Sequence, residues 1–401
     1  MHVNDLLKIA ALHGASDLHI KAGSYPVMRL RGELVNISED QRLTHEDVVT
    51  MTATVMSRLH TEKFKDAQEV DLAYGVAGLG RFRVNVFQQR GSIGMVLRVI
   101  PTQIKGIDDL NLPPSLKKIA AEERGLVLVT GTTGSGKSTT LAAMVDQINR
   151  TRRAHIITVE DPIEFLHRDN QSIINQREVA VDTKSFAHAL RSALRQDPDV
   201  ILVGEMRDFE TIETALLAAE TGHLVLSTLH TLDATETINR IIAVFPPHQQ
   251  RQVRIQLAAV LKAALSQRLL PRADGLGRVA AVEVMVSTAL IRDCIVDKDK
   301  TSMIQGAIAA GTSQYGMQTF DQAIFSLFSQ GVVTLDEALR WASNVDDFQL
   351  KVQGISSTAE MARDDMAGRL TASARPAAQP ARPAAAPGKP AVPTIERFGG
   401  R

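Results

Sequence analysis

Residues 125–144 read "GLVLVTGTTGSGKSTTLAAM". Residues 126–129 form an unbroken apolar run, which suits a strand buried on both faces of a parallel sheet. Beyond it, Leu141, Met144, Val145 and Ile148 recur at helical spacing. Between the two lie Gly131, Gly134, Gly136 and Lys137, a composition poor for either element. What such a segment offers is backbone freedom, so that consecutive N–H groups can turn inward around an anion. Gly131, Gly136, Lys137 and Ser138 match the G-x-x-x-x-G-K-[ST] pattern, in the strand–loop–helix context that the pattern requires. The expected phosphate ligands are Gly131, Gly134, Ser135, Gly136, Lys137, Ser138 and Thr139, helped by the dipole of the following helix. Lys137 is placed to reach β- and γ-phosphates, and the Ser138 hydroxyl to ligate Mg²⁺.

Three further apolar runs follow: "HIITVED" at 155–161, "DVILVGE" at 199–205 and "GHLVLSTLH" at 222–230. Helical stretches separate them, so the segment reads as a doubly wound α/β domain. Ligands in such sheets gather at the carboxyl ends of the strands. Each run ends on a side chain with chemistry. Glu205 is a candidate to ligate Mg²⁺ or to polarise water. Glu160 and Asp161 follow another strand, and either could accept from an attacking water or hold the metal's shell. His230 ends the third run, where a side chain could sense a γ-phosphate.

Residues 1–100 read as mixed α and β. Val3, Leu6, Leu7 and Ala10 have helical spacing. "SDLHIKAG" and "PVMRLRGELV" read as short strands. "GRFRVNVFQQRG" alternates, with Phe82, Val84 and Val86 on one face and Arg81, Arg83 and Asn85 on the other. "GMVLRVIP" is a further strand, and 101–121 reads as a linker. Residues from about 236 to 350 read as mainly helical. The segment 351–401 contains "ARPAAQPARPAAAPGKPAVP", whose prolines and missing apolar period predict a disordered, partly polyproline tail.

Bulk composition narrows the partners. Lys+Arg and Asp+Glu both number 45, and aromatics are 4% of the 401 residues. That leaves little for phosphate tracking or base stacking, so no nucleic acid is expected. The one cysteine, Cys294, excludes an intramolecular disulfide and a Cys-rich zinc site. Neither a signal peptide nor a membrane span is read in the sequence.

In this order, the four stretches resemble the Walker A, Asp box, Walker B and His box of the secretion-type ATPases of type IV pilus and type II secretion systems. "GASDLHIKAG", "ITVEDPIEF", "LRQDPDVILVGEMRD", "TGHLVLSTLHT" and "GMQTFDQAI" are similar to the retraction, or twitching-motility, branch of that family, PilT and PilU. The resemblance covers about residues 1–350. It implies a PAS-like α+β N-terminal domain (1–100), the linker (101–121) and a RecA-like parallel-sheet ATPase domain with a helical C-terminal part (122–350). It also implies a homohexameric ring that hydrolyses ATP with Mg²⁺, in the cytoplasm and peripheral to the inner membrane. The implied partners are an inner-membrane platform protein and, in some systems, a paralogous retraction ATPase. By the same resemblance Glu160 is the catalytic carboxylate, Glu205 the Walker B acid and metal ligand, and His230 the γ-phosphate sensor. Arg83 and Arg98 correspond to N-terminal arginines that reach the nucleotide, with Arg81 a further candidate. The chain departs from the pattern at Thr132, where retraction motors usually carry proline, and in "TALIRDCIVDKDK", a partial match. An accessory subunit of the PilU type and a nucleic-acid translocase stand as alternatives.

Overall fold

The computed structural model describes residues 2–30, 32–101 and 103–355. The expected disordered tail beyond 355 lies outside the described residues.

The first sheet is antiparallel and six-stranded: β1 (Asp17–Lys21), β2 (Val27–Leu30), β3 (Glu33–Asn36), β4 (Glu69–Val76), β5 (Gly80–Gln89) and β6 (Ser92–Val99), in the order β3-β2-β1-β6-β5-β4. Strands β4 and β5 alternate because one face is covered by helices Val3–Leu12 and His45–Val55. Phe82, Val84 and Val86 of β5 are fully buried there with Leu6, Leu7 and Met51. Arg81 and Arg83 take the opposite face, as the alternation requires. This is the PAS-like unit. "PVMRLRGELV" is a hairpin rather than one strand. Leu30 pairs with Glu33, and Gly32 closes the turn at φ 94°, a conformation that favours glycine.

The second sheet has seven strands: β7 (Gly125–Thr130), β8 (His155–Glu160), β9 (Ile173–Glu178), β10 (Val200–Val203), β11 (Leu224–Leu229), β12 (Leu261–Pro271) and β13 (Arg278–Val286). The order is β13-β12-β7-β11-β10-β8-β9, parallel from β12 to β9, with β13 antiparallel at the edge. This is the RecA-like core. The continuous apolar runs have a direct cause. In β7, Leu126 and Leu128 pack towards helices Phe209–Glu220 and Ala234–Ala243. Val127 and Val129 pack towards helix Lys137–Thr151 on the other face. Neither face meets water, so neither can be polar.

Two segments add detail to the expected architecture. The region from 236 is mainly helical, as expected, but β12 and β13 occupy 20 of its residues. Ala, Leu, Lys and Gln in "LKAALSQRLLP" favour a helix locally, but pairing with β7 and β13 overrides that preference. Beyond β13 the chain is helical, from Ala289–Val296 to Val345–Val352. The expected linker is also shorter than 101–121. Ile107, Leu112, Leu116 and Ile119 are buried in the same cluster as Met144 and Val127. The helix Ser115–Ala120 is therefore part of the ATPase core.

Leu265 of β12 is fully buried between β7 and β13. Leu265→Ala should lower unfolding free energy by about 2–5 kcal/mol, as is usual for leucine truncation in a core. The shift in urea midpoint at constant slope measures it. A loss under about 1 kcal/mol would contradict the placement of β12 in the sheet.

Candidate functional site

Parallel pairing in order β7-β11-β10-β8 brings four carboxyl ends to one edge. The loop after β7, His230 after β11, Glu205 after β10 and Glu160 at the end of β8 therefore stand in a row. They border a cavity of about 460 Å³, whose wall includes Gly134, Gly136, Lys137, Ser138, Thr139, Glu160, Glu205 and His230. Gly131 and Ser135 border a second cavity of about 390 Å³ on the other side of the loop.

The loop's backbone is set by glycine. Gly131 has φ 142°, and a Cβ there would fall 2.5 Å from Ser135 Oγ and 2.6 Å from the Gln267 carbonyl oxygen. Gly136 has φ 94° and opens helix Lys137–Thr151. Lys137 crosses the loop, its Nζ donating to the carbonyls of Gly131 at 2.8 Å and Thr132 at 3.0 Å. Burial pushes the Lys137 ammonium below its ordinary pKa, and the nearby carboxylates of Glu205 and Glu164 oppose the shift.

Glu205 is the hub of the row. Its Oε1 lies 2.6 Å from Arg207 Nε and 3.3 Å from His230 Nε2. Thr228, two residues before His230, donates to the Gly204 carbonyl at 2.7 Å. The Met206 amide also donates to the Thr228 carbonyl at 3.2 Å, so the Glu205 and His230 segments are tied by backbone as well as side chain. Glu160 is held differently. Thr158 Oγ1 donates to Glu160 Oε1 at 2.6 Å and Gln176 Nε2 to the same oxygen at 3.1 Å. Burial raises the Glu160 carboxyl above its ordinary pKa, outweighing those two hydrogen bonds. Lys137 and Glu160 are thus displaced toward neutrality, a pattern common at functional sites.

Arg83 and Arg98 do not border this cavity. Arg83 is exposed, and Arg98 Nε donates to Asp17 Oδ1 at 2.8 Å within the first sheet. They are register partners on β5 and β6, so they share one patch. Arg81 instead reaches the second sheet, Nη2 donating to Glu178 Oε2 at 2.9 Å.

Sequence reasoning passed over Gln176, His167, Arg207 and Arg278. The last three border the cavity, and Gln176 holds Glu160. Gln176 also accepts from the His167 amide at 2.9 Å and donates to the Phe165 carbonyl at 2.8 Å. Burial pulls the His167 imidazole down to about 4, so it is neutral near pH 7. Gln176 lies on β9, whose sequence "IINQRE" has neither alternation nor an apolar run to mark it. Nothing local in the sequence marks the others.

Glu283 of β13 is fully buried, and its Oε1 accepts from the Ala234 amide at 2.9 Å, at the start of the helix that follows His230. Burial raises its carboxyl from 4.5 to about 7, with Asp233 adding to the rise and Arg268 opposing it. The folded state therefore keeps a proton that the unfolded chain releases as pH rises above 4.5. This contribution to stability is complete below that pH and is lost as pH climbs through about 7. The expected decline between pH 5 and 7 is on the order of 2 kcal/mol. Neutral His167 contributes a rise over the same range, so Glu283→Gln should tilt the pH dependence of stability upward relative to wild type, as read from urea midpoints at both pH values. An unchanged slope would overturn the assignment.

The chain matches the family model described as Type II/IV secretion system protein over residues 1–340. It is 45% identical over 348 residues to the type IV pilus retraction ATPase PilT of Pseudomonas aeruginosa, covering 87% of this chain and 100% of that protein. It is 41% identical over 384 residues to the type IV pilus ATPase PilU of the same organism, covering 92% of this chain and 99% of that one. Among solved structures, the pilus retraction motor PilT with bound ADP superposes with a TM-score of 0.80 at 47% identity, over 86% of this chain and 98% of that one. With the phosphate loop, the strand-end carboxylates and His230 set along one sheet edge, the chain belongs to the type II/IV secretion system protein family.

Proposed function

We propose that this chain is a ring-forming ATPase motor that converts ATP hydrolysis into retraction of type IV pili. The observation that carries the reading is Glu205, which contacts His230 beside a phosphate loop whose lysine is already turned across it. The relatives named retraction ATPase and retraction motor support the mechanical output.

In this reading Lys137 moves from the Gly131 and Thr132 carbonyls to the β- and γ-phosphates of ATP. Among the described residues no group of three or more His, Cys, Asp or Glu side chains could hold a metal unaided. That suits Mg²⁺, which takes one or two protein oxygens and completes its shell with phosphates and water. Ser138 and Glu205 would hold it, and when bound it neutralises charge on the phosphate oxygens. Glu160 accepts the proton of the attacking water. Its raised pKa makes it a stronger base, while Thr158 and Gln176 fix its orientation. His230 reports the γ-phosphate to Glu205. Arg83 and Arg98, remote from their own chain's cavity, act on the nucleotide of a neighbouring subunit in a homohexamer. The ring works on the cytoplasmic side of the inner membrane against a platform protein. Among the described residues no helix is long and apolar enough to cross a membrane.

One observation favours a second reading, an accessory motor of the PilU type. The PilU relative matches 92% of this chain, more than the 87% matched by PilT. The two readings differ in autonomous turnover, which an accessory subunit would lack. A nucleic-acid translocase is disfavoured by the balanced charge and the 4% aromatic content.

Purified Glu205→Gln should bind ATP as wild type does, and its turnover should fall by at least about 100-fold, as when a main transition-state contact is removed. Near-normal turnover would sink the role given to Glu205. In cells, loss of the gene should leave surface pili in excess and abolish twitching. Unchanged twitching would count against retraction.

A further inference from the structure

The two sheets have separate cores. Phe82, Val84 and Val86 belong to one, and Val127, Val129 and Met144 to another. What crosses between them is therefore informative. Strand β5 sends Phe82 inward and Arg81 outward, and Arg81 is where the crossing occurs. Among the described residues, the side-chain hydrogen bond we find between residues 2–100 and residues 122–355 is Arg81 Nη2 to Glu178 Oε2, at 2.9 Å. The side chains are 25% and 6% exposed, so solvent screens this pair less than a surface pair.

The acceptor is the informative partner. The same Glu178 Oε2 accepts from the Ile163 amide at 3.3 Å. Ile163 lies three residues beyond Glu160. Glu178 is the register partner of Glu160 across β8 and β9, and the Val179 amide donates to the Glu160 carbonyl at 2.9 Å. Two residues earlier on β9, Gln176 holds the Glu160 carboxylate. Strand β9 thus grips the Glu160 segment through Gln176, Val179 and Glu178, and Arg81 steadies the last.

We infer that Arg81 is a positioning residue that acts through Glu178 on the Glu160 segment, so that the placement of the N-terminal sheet governs hydrolysis. The inference rests on the ATPase reading above and adds a control to it. With the guanidinium in place, the buried Glu178 carboxylate has its cation and can hold the Ile163 amide. When the N-terminal sheet moves away, Glu178 is left buried without that cation, an unfavourable state. The carboxylate then turns to water and releases Ile163, and Glu160 loses its alignment. Small misplacements of a catalytic group are costly in rate. Arg81 thereby has a different task from that proposed for Arg83 and Arg98. It touches no nucleotide and works within its own chain.

The test uses the full chain with Arg81→Ala and Arg81→Lys, and two readouts. The first is steady-state ATP turnover. The second is amide hydrogen exchange over residues 161–165, which reports on the Ile163 hydrogen bond whether or not the protein turns over. Arg81→Ala should lower kcat about tenfold with KM for ATP within about twofold, a fraction of the roughly 100-fold loss that a misplaced group can cause. Exchange over 161–165 should accelerate by a similar factor, with β7 unaffected. Arg81→Lys, which keeps the charge, should recover most of both. Wild-type kcat and exchange in Arg81→Ala would overturn the inference. So would a raised KM at unchanged kcat, which would mark Arg81 as a nucleotide ligand. A wild-type protein without turnover would overturn the ATPase reading, and faster exchange in Arg81→Ala would still establish the link to Glu178.

Discussion

Parallel pairing of β7, β11, β10 and β8 sets both the core and the site of this protein. Strands that run in one direction end on one edge, so a loop, a histidine and two carboxylates from distant segments become neighbours there. The pairing has a structural requirement. Every connection between parallel strands must cross over a face, which covers both faces with helices and makes the strands apolar throughout. The same burial then acts on the site. It lowers the Lys137 pKa, raises that of Glu160 and keeps His167 neutral.

The polar groups at this edge are organised in two clusters with different supports. Glu205 and His230 are linked side chain to side chain and through the Thr228–Gly204 contact, on adjacent central strands. Glu160 stands one strand further out and depends on β9, the edge strand. Central strands are braced from both sides, while an edge strand is braced from one. A device that adjusts the site acts with least resistance on the second cluster, and there Arg81 arrives from the N-terminal sheet.

Much of this was legible in the sequence because its causes are local. The phosphate loop shows itself by glycines at fixed spacing. The four central strands show themselves by unbroken apolar runs, and β5 by alternation. Glu160, Glu205 and His230 stand out because each ends such a run, and they border one cavity. Strand β12 does not stand out within the mainly helical region because its Ala, Leu, Lys and Gln prefer helix, and only its neighbours β7 and β13 make it a strand. Strand β9 was passed over because an edge strand, "IINQRE", needs no long apolar run.

Local sequence is enough to locate the phosphate loop, the parallel core around it and the side chains at its strand ends, since backbone freedom and two-sided burial leave marks within a few residues. Tertiary structure decided which arginine of "RFR" does what. Alternation places Arg81 and Arg83 on the same face and cannot separate them. Only the packing of the first sheet against the second sets Arg81 beside Glu178 and leaves Arg83 exposed. That distinction depends on residues 97 positions apart, a separation over which no local preference carries information.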